Sequence, residues 1–222
     1  MKNILVVLLL SQILSSCSRT IEILDRPIVF DETRIQLTKE YLQERYGLSG
    51  DSIRIEPKMI VIHHTVVPTL EETFEVFNPP TLPNWRPEIG SASGLNVSSQ
   101  FLVDRDGTIY RLMPETTMAR HVIGLNHCAI GVENVGGTKD LPLTKDQIQA
   151  NIALVNYLSQ KYDIDYLIGH HEYRAFENHP LWLEKDDGYR TEKNDPGKVF
   201  MNEVRKGTKR SNFKPVPEIL NQ

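Results

Sequence analysis

The sequence KMIVIHHT occupies residues 58–65, and its apolar, largely β-branched first part is typical of a strand buried on both faces. A second run, YLIGHH at residues 166–171, ends in the same way on a pair of histidines. A sheet holds the backbone at the ends of its strands, so side chains placed there have a fixed geometry before any ligand binds. The two runs therefore predict a buried sheet with histidines at one edge.

Other strands surround these two runs in the sequence. Apolar runs predict strands at residues 98–103, 108–112 and 129–134. The Asp106-Gly107 step between the first two is a strong hairpin signal. A mixed order of strands and helices favours an α/β (α+β) fold, with one central mixed β-sheet flanked by helices in a single domain.

Helical patterns alternate with the strands. Helices are predicted at residues 31–46, 144–162 and 196–206. The middle helix opens with a capping box of Thr144 and Gln147, and the last starts near a proline, which suits the first helical position. Residues 66–94 contain several prolines and no clear periodicity, which predicts a long binding loop or lid.

The composition is that of an ordinary globular protein. The chain has 222 residues, of which 40% are hydrophobic and 24% charged. Its formal net charge is −4, so there is no electrostatic case for nucleic-acid binding, which demands a basic surface. We expect a monomer that binds no nucleic acid.

The N-terminus has the anatomy of an export signal. Lys2 precedes an apolar run at residues 4–14, which is too short for a comfortable bilayer span of about 20 residues. The run leads into Leu-Ser-Ser-Cys, similar to the lipobox of bacterial lipoproteins, in which the cysteine is lipidated. We expect a signal peptide at residues 1–16, lipidation at Cys17, and a protein anchored to the outer membrane and facing the periplasm. An ordinary signal peptide with a chance cysteine is the alternative.

The rest of the chain divides into three parts. Residues 17–55 are expected to form a tether and an N-terminal helical extension, residues 56–208 the main domain, and residues 209–222 a tail. The chain has two cysteines, so lipidation of Cys17 excludes an internal disulfide. Cys128 has apolar neighbours and is predicted to be a small core residue.

Three short segments carry candidate metal ligands. They are IHHT at residues 62–65, IGHHE at 168–172 and EKNDPG at 192–197. Imidazole and carboxylate groups bind Zn²⁺, and a catalytic zinc site uses three protein ligands and leaves one position for water. Taken alone, the same residues also fit surface or core histidines and a turn before a helix. No compact zinc signature such as His-Glu-x-x-His is present.

In combination, the chain resembles the type-2 N-acetylmuramoyl-L-alanine amidases, the superfamily that includes the peptidoglycan recognition proteins and amidase-type phage lysozymes. The resemblance runs from about Met59 to Lys206. Six motifs occur in family order, at residues 63–65, 97–110, 119–122, 130–133, 169–170 and 193–197. The resemblance implies a zinc amidase domain at residues 56–208, with peptidoglycan as the substrate.

The resemblance also implies a set of metal ligands. His63 closes its strand, His170 follows Gly169, and Asp195 precedes Pro-Gly, as the zinc ligands of the family do. Such an ion polarises the scissile carbonyl and lowers the pKa of water that it binds.

Four further positions match family residues around the metal. Glu133 matches the acid that acts as general base and then as general acid, and Lys193 matches the lysine that stabilises the oxyanion. His121 and Asn126 are expected to line the substrate groove. His64, His127 and His171 are predicted to be supporting or structural residues.

The chain departs from the family pattern at two places. His170 and Asp195 are 25 positions apart, whereas compact members of the family have a much shorter gap. The insert at residues 175–189 is hypothesised to fold over the groove, and it supplies His179 as a rival metal ligand. Gln100 stands where many relatives have a histidine or another residue, which leaves its role open.

Two other functions fit the same resemblance. One is a non-catalytic peptidoglycan-binding receptor on the same fold, since fold alone does not fix function. Such receptors typically lose a zinc ligand, whereas all three are present here. The other is a zinc peptidase that cuts bonds within the stem peptide.

Overall fold

A computed structural model describes residues 21–84 and 86–218. The predicted signal peptide at residues 1–16 and Cys17 lie outside these ranges. The strands and α-helices are, in order, β1 (Leu24–Asp25), α1 (Glu32–Tyr46), β2 (Met59–Ile62), α2 (Leu70–Phe77), α3 (Pro87–Gly90), β3 (Phe101–Val103), β4 (Ile109–Arg111), β5 (Ala129–Asn134), α4 (Lys145–Lys161), β6 (Tyr166–Gly169) and α5 (Lys198–Gly207). Two short 3-10 helices are also present, His170–Phe176 and Lys209–Ser211.

The strands form one six-stranded sheet in the order β1-β4-β3-β5-β2-β6. β3 and β4 pair antiparallel as the predicted hairpin, and every other neighbouring pair is parallel. This confirms the prediction of a central mixed sheet flanked by helices. The apolar part of the 58–65 run forms β2, which lies between β5 and β6 and is buried along its whole length.

The side chains of β2 alternate between two cores, as the pleat of a strand requires. Ile60 and Ile62 pack in the cluster that includes apolar residues of α4 and α5. Met59 and Val61 pack in a second cluster, together with Phe176 from the first 3-10 helix. Because both faces are covered, the strand contains no polar side chain before His63.

The predicted helix ends are largely confirmed. α1 begins after Asp31, whose side chain accepts a hydrogen bond from the N–H of Arg34, and ends at Gly47, which adopts a φ of 72°. The capping box of Thr144 and Gln147 is present at the start of α4. None of the described helices is both long and apolar enough to cross a membrane.

Two details of the helices differ from the predictions. α5 begins beyond Pro196 because Gly197 adopts a φ of 94°, which lies far from helical values. The segment at residues 66–94 is not one long loop, since it contains α2 and α3, although several of its residues line the cavity described below. The side chain of Thr69 accepts a hydrogen bond from the N–H of Glu72, which is an N-cap that the sequence pattern could have indicated.

The predicted tether is wrong for residues 21–30, which pack on the domain. In this segment β1 pairs with β4 of the hairpin. The buried guanidinium of Arg34 in α1 donates hydrogen bonds to the carbonyl of Val29 and to three carbonyls at the C-terminal end of α2, those of Phe77, Asn78 and Pro79. It thereby satisfies carbonyls that a helix end leaves open and joins the N-terminal extension to α2.

Candidate active site

The histidines at the ends of β2 and β6 lie side by side. The two strands are parallel neighbours with Ile62 opposite Gly169, so the residues that follow, His63 and His170, emerge at the same edge. Their Nδ1 atoms are 2.9 Å apart, and both side chains are buried. The structure thus brings together the two histidines that were predicted from separate strand ends.

Asp195 reaches the same point from the loop before α5. Its Oδ2 lies 3.0 Å from Nδ1 of His170 and 3.3 Å from Nδ1 of His63. Atoms that bind one zinc ion tetrahedrally at about 2.0–2.1 Å lie about 3.3 Å from one another. These three atoms therefore have the spacing and the chemistry that a zinc ion requires.

The rival ligand His179 lies elsewhere. Its Nε2 is 3.0 Å from the hydroxyl of Tyr166, and its Nδ1 accepts a hydrogen bond from the N–H of Leu181. Within the described part of the chain, the only His, Cys, Asp or Glu cluster suited to a metal is that of His63, His170 and Asp195. The structure favours Asp195 over His179 as the third ligand.

The long gap between His170 and Asp195 is bridged by hydrogen bonds. The backbone N–H and the Nδ1 of His171 both lie 3.0 Å from the carbonyl oxygen of Asp195. The next residue, Glu172, accepts a hydrogen bond from the N–H of Gly169 and forms an ion pair with Arg205 of α5. These bonds hold the aspartate loop against the end of β6, so the insert does not displace Asp195, the candidate third ligand.

The insert at residues 175–189 packs beside the groove. Glu184 is buried and forms an ion pair with Arg45 near the end of α1. Tyr189 lines the same cavity as the candidate ligands, and its hydroxyl accepts a hydrogen bond from Arg120. The insert therefore contributes a wall of the groove and fixes that wall to the N-terminal extension.

The charges at the three candidate ligands suit a metal. Burial, reinforced by His170, lowers the pKa of His63 to about 4. Burial also lowers the pKa of His170, although Asp195 partly offsets this effect. Burial alone would raise the pKa of Asp195, but the two histidines outweigh it and hold that pKa far below its usual value. At neutral pH the three groups are thus two neutral imidazoles and a carboxylate, the forms that bind metal ions.

Glu133 lies beside this cluster with an unpaired oxygen. It follows Val132, which is opposite Ile62 in the sheet, and its side chain lines the cavity. Among the described residues, its buried Oε2 has no hydrogen-bond partner. Burial and the nearby Asp195 carboxylate raise the pKa of Glu133 to about 8. A carboxyl group in this state is a candidate for proton transfer near neutral pH.

A single cavity of ≈ 600 Å³ contains all of these groups. Its volume is typical of small-molecule sites. Lys193, two positions before Asp195, lines the cavity and is close enough for its charge to lower the pKa of Glu133. The opposite walls come from the N-terminal half of the chain and include Tyr41 of α1 and Phe77 of α2.

Asn126, a predicted substrate-binding residue, is buried and hydrogen-bonded within the protein. Its Oδ1 accepts hydrogen bonds from the backbone N–H groups of His121 and Val122, and its Nδ2 donates to the hydroxyl of Tyr46. It thus shapes the loop that carries His121, a role that the sequence did not indicate. Both side chains line the cavity, and their contact with substrate stays a prediction.

Gln100, whose role the sequence left open, connects two parts of the fold. Its Oε1 accepts a hydrogen bond from the N–H of Gly131 at 2.7 Å, and its Nε2 donates to the carbonyl of Thr117 at 2.8 Å. The side chain is fully buried, so it supports the sheet rather than the substrate. Cys128 is buried as well, as predicted for a core residue.

Val66, which the sequence analysis did not single out, has an unusual backbone. Its φ is 56°, in the left-handed region that a β-branched residue rarely adopts. Hydrogen bonds hold it there, since its N–H donates to the carbonyl of Gly136, and the N–H of Gly136 donates to the carbonyl of Val67. The side chain lines the cavity and is 61% exposed, so packing offsets little of the strain.

We expect the substitution Val66→Gly to raise the free energy of unfolding by about 1 kcal/mol. Removing a left-handed non-glycine residue relieves about 1–3 kcal/mol, and the flexibility of glycine in the unfolded chain costs about 0.5–1 kcal/mol. Urea unfolding of the two proteins measures the difference. Val67→Gly is the matched control and should lower stability, because Val67 has no such strain. Equal losses in both variants would show that Val66 is unstrained.

Comparisons with known proteins agree with this geometry. A family sequence model described as N-acetylmuramoyl-L-alanine amidase matches residues 54–198. The endolysin of Escherichia phage T7 is 34% identical over 112 residues, which are 46% of this chain and 72% of that protein, and the endolysin of Enterobacteria phage T3 is 33% identical with the same coverage. The solved structure of the N-acetylmuramoyl-L-alanine amidase LysC from Clostridium intestinale URNW shares the fold, with a TM-score of 0.53, 24% identity, and coverage of 88% of this chain and 100% of that one.

Proposed function

Because this chain belongs to the N-acetylmuramoyl-L-alanine amidase family, we propose that it is a zinc hydrolase that cuts the amide bond between N-acetylmuramic acid and L-alanine in peptidoglycan or its fragments. One observation carries the zinc assignment. Donor atoms of His63, His170 and Asp195 converge within 3.3 Å, and Glu133, whose buried Oε2 has no hydrogen-bond partner among the described residues, lies in the same cavity. Two neutral imidazoles and one carboxylate form a donor set that suits catalytic zinc.

The positions of the side chains suggest a separate role for each residue in the reaction. His63, His170 and Asp195 would hold the ion, which when bound supplies Lewis acidity toward the scissile carbonyl and toward water. Glu133 takes a proton from the attacking water and returns it to the leaving nitrogen of L-alanine. Burial beside Asp195 raises the pKa of Glu133 to about 8 in the metal-free protein, which makes its carboxylate a stronger proton acceptor than that of an exposed glutamate.

Lys193 stabilises the charge that develops on the carbonyl oxygen, because it lines the cavity that contains the three candidate ligands, and its positive charge acts on both His63 and Glu133. We expect Lys193→Met to lower kcat by about 10²-fold with a small change in KM, since the charge forms in the transition state. Lys193→Arg should retain part of the rate. Kinetics on a soluble muropeptide measure these values. A matching loss of bound zinc in Lys193→Met would contradict this role, because Lys193 would then act on the metal site.

Product analysis tests the proposed reaction against its two rivals. Purified wall fragments incubated with the protein should release an intact stem peptide with a free L-alanine amino group, as read by mass spectrometry. A receptor yields no product, and a stem-peptide hydrolase leaves a shortened peptide attached to the sugar. Either of those two outcomes would refute the amidase reaction for this chain.

The place of action is proposed from the N-terminal sequence. We propose that cleavage after residue 16 and lipidation of Cys17 tether the enzyme to the outer membrane, facing the periplasm, where peptidoglycan is within reach. Cell fractionation tests this, because Cys17→Ser should move the protein from the membrane fraction to the periplasmic fraction. An unchanged distribution would refute the anchor.

A further inference from the structure

The imidazole of His121 bridges a candidate metal ligand and the backbone. Its Nδ1 lies 3.0 Å from Nε2 of His63, and its Nε2 lies 3.3 Å from the carbonyl oxygen of Ala129. The rings of His121 and His63 are nearly perpendicular, with an interplanar angle of 88°. Both ring nitrogens of His121 therefore have partners within the protein.

The two bonds together define where the protons are. A carbonyl oxygen only accepts hydrogen bonds, so the Nε2 of His121 must carry a proton. A neutral imidazole has one N–H, which leaves Nδ1 of His121 as an acceptor. Nε2 of His63 must then be the donor, and Nδ1 of His63 keeps a free lone pair that faces His170 and Asp195.

The geometry of the pair supports neutral rings. The Nδ1 of His121 and the Nε2 of His63 lie 3.0 Å apart, and a hydrogen bond between them needs one donor and one acceptor. Two fully protonated rings would place two N–H groups against each other. A histidine also binds a metal ion as a neutral imidazole, so one N–H on each ring satisfies the order of donors and acceptors.

Neighbouring residues hold the His121 ring in place. Asn126 accepts the backbone N–H of His121 and thereby fixes the start of the loop. Gly131 of β5 leaves room for the ring, because a Cβ added there would lie 2.8 Å from Cγ of His121. The space between β5 and the end of β2 is thus shaped for an imidazole in this orientation.

We propose that His121 is a positioning residue that fixes the tautomer of His63. The Ala129 carbonyl keeps the proton of His121 on Nε2, so the Nδ1 of His121 accepts a hydrogen bond from the Nε2–H of His63. The Nδ1 of His63 is thereby left unprotonated on the side that faces His170 and Asp195. Metal-binding histidines generally donate a hydrogen bond from their second ring N–H to a carboxylate, a carbonyl or water, whereas here the acceptor is a neutral imidazole. This inference rests on the metal site of the proposed function, and it is distinct from a substrate contact.

The tautomers can be read directly from the unaltered full-length protein. Nitrogen-15 NMR of histidine-labelled protein distinguishes Nδ1–H from Nε2–H forms, and it applies both with zinc and after chelation. We expect Nε2–H for His121 and for His63 in both states. An Nδ1–H form of either ring in the chelated protein overturns the proposal. This readout does not depend on whether zinc binds, so its failure is distinguishable from failure of the zinc hydrolase.

Substitutions separate the tautomer role from simple packing. His121→Phe fills the space but leaves the N–H of His63 without an acceptor, and zinc affinity should fall by about 10–100-fold. His121→Asn places an amide oxygen near the position of Nδ1 and should recover most of that loss. His121→Gln places its amide near Nε2, keeps the Ala129 bond and should remain as weak as Phe.

Chelator competition measures the zinc affinity of each variant. The proposal is overturned if His121→Phe binds zinc as tightly as the unaltered protein, or if His121→Asn is as weak as His121→Phe. If the unaltered protein itself binds no zinc, the proposed function fails, whereas the NMR result still decides the tautomers.

Discussion

Replacing His63 with alanine is expected to abolish zinc binding and to lower amide hydrolysis by on the order of 10³-fold or more. Nδ1 of His63 lies within 3.3 Å of both other donor atoms, so its loss leaves only two ligands at the site. The several kcal/mol that a Lewis acid contributes to the transition state would be lost with the metal, and about 1.4 kcal/mol corresponds to a factor of ten. Metal content by elemental analysis and kcat/KM on wall fragments give the two readouts.

His179→Ala is the matched control for His63→Ala. His179 is also an imidazole close to the site in sequence, but the structure places it on the Tyr166 hydroxyl. This variant should keep both zinc and most of the activity. The ligand assignment would be wrong if His179→Ala lost the metal while His63→Ala retained it.

Replacing Glu133 with glutamine is expected to change activity and stability in opposite directions. Activity should fall by about 10²–10⁴-fold, because glutamine cannot accept and return the proton. The pKa of Glu133 is raised from 4.5 to about 8 in the folded protein, so the folded state binds this proton more tightly than the unfolded chain. The unaltered protein therefore loses stability as the pH rises through this interval, and the variant does not.

Urea unfolding of chelated protein at pH 8 and at pH 4 measures the stability effect. Glu133→Gln should be more stable than the unaltered protein by on the order of 2 kcal/mol at pH 8, and the difference should vanish near pH 4. A lower stability of the variant at pH 8 would show that the folded protein favours the ionised Glu133, and would contradict its raised pKa.

Glu115→Gln provides a control of opposite sign. Glu115 is also buried, but it accepts hydrogen bonds from Lys161 and Tyr162. These bonds outweigh burial and lower its pKa. The control should therefore lose stability at neutral pH and, because Glu115 lies outside the cavity, keep its activity. Opposite changes in stability and activity in Glu133→Gln and Glu115→Gln would distinguish a buried carboxyl that acts in catalysis from one that only stabilises the fold.

Much of the fold could be predicted from local patterns. β5 has the predicted bounds, and α4 starts at the predicted capping box, because period and caps are local properties of the chain. α2 was missed since it is only eight residues long and lies among prolines. The contact of residues 21–30 with the sheet was also missed, because pairing of a two-residue strand depends on its distant partner β4.

The candidate site could be predicted only in part. Parallel strands bring their ends together, so the adjacency of His63 and His170 follows from two apolar runs. Asp195 required the family resemblance, because its place depends on the hydrogen bonds of His171 across a long insert. The bond of His121 to His63 joins residues 58 positions apart, and no local pattern indicates it.

The central claim is that a zinc ion held by His63, His170 and Asp195 enables this chain to release stem peptides from muramic acid. The most direct measurement is a zinc titration of chelator-treated protein, with the released stem peptide quantified by mass spectrometry at each step. We predict no release without metal, and release that rises with zinc and saturates at one ion per chain. Undiminished release from metal-free protein, or saturation with zinc and no release, would contradict the claim.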